Sequence, residues 1–183
     1  SIAVASWAPD GAAVIADAKC ALARLLEGPA PKARAIPTVR AIPAPLAATG
    51  LTDAYLLQQI ARLRPAGSVI VEEAPSSRGA MHDHLPILDA GGFFTCASGA
   101  LGHGLPASVG VALGRPDAKV IAILGDGSSM YGIQGLWSAA QLGLPVSFVI
   151  VNNRRYEALV NFGRHFGLQR TLGTALNDID FCD

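Results

Sequence analysis

The amino-acid sequence predicts an α/β fold, a parallel sheet with helices on both faces, truncated within its last domain. Three observations carry that prediction. Residues 120–124 and 146–151 are apolar without alternation, the pattern of strands buried on two sides. Segments with apolar residues at helical spacing lie between and beside them. The first strand closes on Gly125-Asp126-Gly127 and the second on Asn152-Asn153, so polar groups collect at the carboxyl edge, where open α/β sheets bind ligands.

The elements follow in order. Residues 12–26 carry Val14, Ala18, Ala21, Leu22 and Leu25 on one helical face, and Gly28 ends that helix. A proline- and alanine-rich tract follows, which cannot sustain a regular element and reads as a connection. The division expected is therefore residues 1–28 as the end of a preceding domain, 29–49 as linker, and 50–183 as the α/β domain. Thr52 is a suitable N-cap for a helix running to about Arg64 with Leu56, Leu57, Ile60 and Leu63 inward. Residues 68–71 form a short strand ending at Glu72-Glu73. Residues 74–98 read as an irregular polar region, and 99–104 as a glycine-rich loop. Pro106 suits the first turn of a helix to about Leu113, where its missing N–H costs little. Strand 120–124, helix 133–142, strand 146–151 and helix 156–166 complete the pattern.

Composition narrows the function. Half the residues are apolar (51%) and 15% are charged, enough to bury a substantial core. Net charge is zero and no basic cluster is present, which argues against nucleic acid. The apolar runs fall short of the ~20 residues a membrane-spanning helix needs. The 3 cysteines, Cys20, Cys96 and Cys182, form no CxxC pair, pointing to a reducing, cytoplasmic setting and away from structural zinc. The sequence starts at Ser1 and stops soon after what reads as the entry to another element, so a piece of a longer polypeptide is expected.

An Asp-Gly after a strand is commonly only a turn. Here Asp126 lies between glycines at one strand tip and Asn153 closes the next, and a small hard cation binds through such oxygens. Magnesium takes one or two carboxylates and shares its remaining positions among water and phosphate. Ser128 and the start of the following helix could add donors to the same anion.

The stretch 125–159, GDGSSMYGIQGLWSAAQLGLPVSFVIVNNRRYEAL, together with residues 96–113, CASGALGHGLPASVGVAL, resembles the cofactor signature of thiamine-diphosphate-dependent enzymes. Within that family the pattern at Tyr131, Leu136-Trp137 and Ala139-Ala140-Gln141 is similar to that of the benzoylformate decarboxylases. The resemblance implies thiamine diphosphate and Mg2+ as cofactors. It implies that Asp126, the Asn153 side chain and the Arg155 carbonyl bind the metal. Ser76, Gly99, Gly125, Gly127, Ser128, Tyr156, Glu157 and Ala158 would hold the diphosphate and thiazolium. Leu101 matches the apolar residue that props the cofactor into its bent form, and Leu159 and Phe162 match apolar substrate-pocket positions.

The implied reaction is non-oxidative decarboxylation of an aromatic, benzoylformate-like 2-oxo acid to an aldehyde and CO2, in a homo-oligomer whose subunits share the site. The activating glutamate and proton-handling histidines are then expected outside this chain, which alone would hold half a site. The sequence departs from the family at several positions. Thr95 replaces a phenylalanine, implying a wider or more polar pocket, and Pro75 replaces a hydroxyl residue. Arg154 and Glu157 stand where glycine is common, and either a salt bridge between them or an adjustment of the phosphate site is expected. Glu73 either approaches the cofactor or is a solvated strand end. His82 and His84 show no ligand spacing, and His103 and His165 read as surface or supporting residues rather than proton carriers. An acetohydroxyacid synthase-like carboligase and a non-catalytic nucleotide- or phosphate-binding module remain open at this point.

Overall fold

A computed structural model of the chain describes residues 14–33, 35, 43–47 and 50–182. The backbone divides into two units, Ser1–Arg40 and Ala41–Asp183. In the first, helix α1 spans Ala18–Leu26. Its start lies later than expected because Asp17 takes an extended conformation and caps it, its Oδ1 accepting the Lys19 and Cys20 N–H groups at 3.0 and 3.2 Å. The expected start at Ala12 lies outside the described residues.

The second unit opens with α2, Asp53–Leu63, capped as expected by the Thr52 hydroxyl, which accepts the Tyr55 N–H at 3.2 Å. The chain just before α2 docks on it, with Gln58 Nε2 donating to the Ala44 carbonyl at 3.0 Å and Oε1 accepting the Leu46 N–H at 2.8 Å. Strand β1 is Val69–Glu73. A single 3-10 turn at Pro75–Ser77 leads into α3, Arg78–His84, and then β2, Phe93–Thr95. The region expected to be irregular therefore holds a helix and an edge strand. Neither has a readable period: α3 has 7 residues and buries only Met81, and β2 has 3 residues.

Helix α4 spans Gly104–Gly114, β3 Val120–Gly125, α5 Asp126–Met130, α6 Gly135–Gln141, β4 Val146–Val151 and α7 Glu157–His165. The sheet order is β2-β1-β3-β4, with every pairing parallel. Successive residues of the central strands point to opposite faces. Ile70, Ile121 and Ile123 pack with Leu57, Met81 and Leu85 on the α2/α3 side. Val69, Val71 and Val120 pack with Ala112 of α4, and Ala122 and Leu124 with Leu105, on the other. Each fully buried Ile, Leu or Val contributes about 1.5–3 kcal/mol, so the two covered faces of β1 and β3 are the source of the unit's stability. That rigid pair of strands positions the loops at its carboxyl edge.

Candidate functional site

Parallel register decides what meets at that edge. Glu73 pairs with Leu124 and Gly125 pairs with Val151, so the three strands β1, β3 and β4 end almost level. Beyond those ends the chain turns into Pro75-Ser76, Asp126–Ser128 and the 152–158 segment, and the glycine loop joins them from before α4. They enclose a cleft of about 200 Å3. Ser76, Gly99 and Leu101 line one part of it, Gly125, Asp126, Gly127 and Ser128 the floor, and Arg155, Tyr156, Glu157, Ala158 and Leu159 the opposite wall. Nearly all the residues named from sequence thus converge. Pro75 also borders the cleft.

Asp126 is 3% exposed, at the first turn of α5. Its Oδ1 accepts the Gly127 N–H at 2.8 Å, while Oδ2 is buried with no hydrogen-bond partner. An unpaired buried carboxylate oxygen costs about 1–3 kcal/mol or more, so this atom is set up to receive a cation or donor. The Tyr156 ring packs on Gly127 so closely that a side chain there would collide with it. Burial raises the Tyr156 phenol above its usual value near 10, helped by the Tyr131 hydroxyl and by the charges of Tyr131 and Asp126.

The glycine loop is held by a residue whose role the sequence left open. Glu73 is neither solvated nor in the cleft. It is 2% exposed, and its two carboxylate oxygens accept the Gly102 and Gly104 N–H groups. The carboxylate thereby satisfies a free N–H at the start of α4, where the helix dipole favours negative charge. Gly99 and Gly102 take φ of 70° and 92°, which only glycine adopts readily, and between them Leu101 is presented to the cleft. Close approach needs glycine again at Gly104, where a Cβ would lie 2.6 Å from that of Glu73.

Its neighbour Glu72, on the other face of β1, is 1% exposed and ties α3 and β2 together. It accepts the Ala74 N–H at 2.7 Å, Arg78 Nε at 3.1 Å and the Thr95 hydroxyl at 2.7 Å. Thr95 therefore serves this network and does not line this cleft.

Two named residues stand apart from the cleft. Asn153 opens instead into an adjoining groove with Asn152, and Ser76 and Glu157 border both hollows. Its Oδ1 accepts the Arg155 N–H at 3.1 Å. Asp126 and Asn152 are the next positions after the Gly125–Val151 pair, and Asn153 is one residue farther, so the two tips lie on strands about 4.8 Å apart. Phe162 is 63% exposed and pairs with Phe166, ring centroids 4.6 Å apart, rather than lining the cleft.

The 154–156 segment is pinned by the chain near 175: Leu176 N–H donates to the Arg154 carbonyl and Tyr156 N–H to Thr174, both at 2.8 Å. Arg154 takes φ of 58°, and this left-handed turn brings the following residue, not Arg154, beside the start of α7. The expected Arg154–Glu157 bridge is accordingly replaced by Arg155 Nε against Glu157 Oε2, with Arg164 Nη1 at 3.5 Å from Oε1. The Arg155 carbonyl accepts the Glu157 N–H at 3.0 Å. Among the described residues no group of three or more His, Cys, Asp and Glu side chains could hold a metal, and no helix is long and apolar enough to cross a membrane.

Comparison with known proteins gives concordant matches. The family model described as thiamine pyrophosphate enzyme, C-terminal TPP binding domain, matches residues 75–183. Benzoylformate decarboxylase of Pseudomonas aeruginosa is 38% identical over 180 residues, 97% of this chain and 34% of its own length. An acetolactate synthase isozyme 2 large subunit of Escherichia coli is 31% identical over 124 residues, covering 67% of this chain and 23% of its own. A solved thiamine diphosphate-dependent 4-hydroxybenzoylformate decarboxylase of Rhodococcus jostii superposes with a TM-score of 0.80 at 36% identity, over 97% of this chain and 34% of that one. The chain thus spans about a third of the length of the decarboxylases it matches.

Proposed function

Given that the chain belongs to the C-terminal thiamine pyrophosphate-binding domain family of thiamine pyrophosphate enzymes, we propose that its carboxyl-edge cleft holds the diphosphate end of thiamine diphosphate with Mg2+. The complete protein then decarboxylates an aromatic, benzoylformate-like 2-oxo acid to an aldehyde and CO2. The observation that carries the reading is Asp126 Oδ2, buried at the cleft floor without a partner. That is the atom a divalent cation would satisfy, and oxygen donors at Asn153 and the Arg155 carbonyl suit the same hard ion.

When bound, thiamine diphosphate supplies the electron sink that decarboxylation needs. The chain's own residues do the positioning. The Ser128 N–H, at the start of α5, and the Ser76 hydroxyl would face the phosphates, with Gly127 leaving room for them to approach. Gly99, Gly125, Tyr156, Glu157 and Ala158 would complete the cofactor's surround. Leu101, fixed through the loop that Glu73 holds, would support the thiazolium. Leu159 at the cleft wall, with Phe162 farther along α7, would present apolar surface to an aryl group. A cytoplasmic homo-oligomer with a shared site is part of the same reading, and the free thiols of Cys20, Cys96 and Cys182 suit a reducing compartment.

The carboligase reading is the weaker of the two on coverage, since the acetolactate synthase match takes in 67% of the chain against 97% for the decarboxylase. The test is calorimetric titration of the chain with thiamine diphosphate. Binding is expected only with Mg2+, and Asp126→Ala should abolish it. Metal-independent binding of ATP with equal affinity would favour a plain phosphate-binding module and sink the proposal.

A further inference from the structure

We propose that Glu157 makes this site accept a diphosphate as its metal complex and reject the free anion; the inference rests on the cofactor reading above. A site for a multiply charged anion ordinarily gathers cations. Among the described residues, the cation lining the cleft is Arg155. Glu157 cancels it, Oε2 lying against Arg155 Nε. The Glu157 side chain is 18% exposed, and Oε2 is buried without an aligned hydrogen bond. Glu157 also stands at the first position of α7, a nine-residue helix whose positive end would otherwise draw an anion.

The second arginine near it contributes little, because Arg164 is 63% exposed and its Nη1 also donates to Asn161 Oδ1 at 3.0 Å. Within the cleft, Asp126 and Glu157 stand against Arg155, so the lining carries one net negative charge. Asp126 keeps a buried oxygen without a partner, whereas the buried Oε2 of Glu157 is held against Arg155 Nε. A divalent cation meets the unpartnered Asp126 carboxylate, and an uncomplexed diphosphate meets a net negative lining whose arginine is already paired. Glu157 borders both the Asp126 cleft and the Asn153 groove, so its charge acts on each side of the cation position the reading assigns. Glu157 is thus a specificity-determining residue acting through charge.

The experiment titrates the 183-residue chain with inorganic pyrophosphate, once with Mg2+ and once with EDTA, and reads the ratio of the two dissociation constants. Glu157→Gln should bind metal-free pyrophosphate about tenfold more tightly and shrink the advantage of Mg2+ by at least that factor. Glu157→Asp keeps the charge and should retain the wild-type preference. An unchanged ratio in E157Q, or the same loss in E157D, overturns the proposal. Asp126→Ala separates the two readings. If the wild-type ratio is near one and D126A changes nothing, the metal–diphosphate reading fails and this inference with it. If the wild type needs Mg2+ and D126A loses the Mg2+-dependent binding while E157Q leaves the ratio unaltered, only the role of Glu157 falls.

Discussion

Replacing Glu73 by Gln alters a single atom type in the middle of the α/β unit and should destabilise it by about 3 kcal/mol. The side chain is 2% exposed and Gln keeps its volume, so no cavity term enters. The carboxylate accepts two backbone N–H groups, those of Gly102 and Gly104. An amide offers one acceptor oxygen and turns an N–H donor toward the other glycine. One charge-assisted bond is lost, worth about 1.5–3 kcal/mol, and the remaining one becomes neutral, losing about 1 kcal/mol more. The sum is a large share of the roughly 5–15 kcal/mol that holds a domain folded, yet leaves it folded. Urea denaturation measures it: with a slope near 2 kcal/mol/M, the midpoint should fall by about 1.5 M. Amide exchange at Gly102 and Gly104 should accelerate together, because one carboxylate restrains both. A midpoint within about 0.2 M of wild type, with both amides still protected, would refute the reasoning.

Gly127→Ala places a methyl 2.8 Å from Tyr156 Cδ1 and should cost about 1–3 kcal/mol. Adding Tyr156→Ala should recover part of that loss, and a double-mutant cycle in denaturant would show the coupling. Tyr156 should ionise late in a spectrophotometric titration, later than an ordinary phenol near pH 10, and Tyr156→Phe should remove the late component. Because the folded state holds that proton more tightly than the unfolded chain, its contribution is intact below pH 10. It falls as the pH rises through the folded value, so alkaline stability should decline less in the Phe variant. In thermal melts, thiamine diphosphate with Mg2+ at 100 times its dissociation constant should stabilise the chain by about 2.7 kcal/mol, and Asp126→Ala should show no such gain.

Glu72 and Glu73 explain why so short a strand as β1 organises the site. Consecutive strand residues face opposite ways, so one carboxylate ties down α3 and β2 while the other holds the loop before α4. Both sides of the cleft's base are thereby fixed from a single point. The glycines at 99, 102 and 104 then have distinct duties. The first two supply left-handed backbone, and the third lets Glu73 come within reach.

The sequence by itself determined the central strands, their parallel class and the polar groups at their tips. Apolar runs and the glycine, aspartate and asparagine that end them are local signals, and residues 120–125 and 146–151 form strands nearly as their pattern requires. Tertiary structure alone decided the rest. Glu73 looks like a strand end open to water until residues 29 and 31 positions away fold over it. The α3 helix and β2 strand have too few residues to show a period and exist because β1 and Glu72 give them partners. Glu157 finds Arg155 rather than Arg154 because a left-handed turn and the chain near 175 set the direction of the loop. Asn153 and Phe162 stand outside the cleft for a related reason. Spacing along the chain places a residue on an element, while the hollow it borders depends on how distant segments pack.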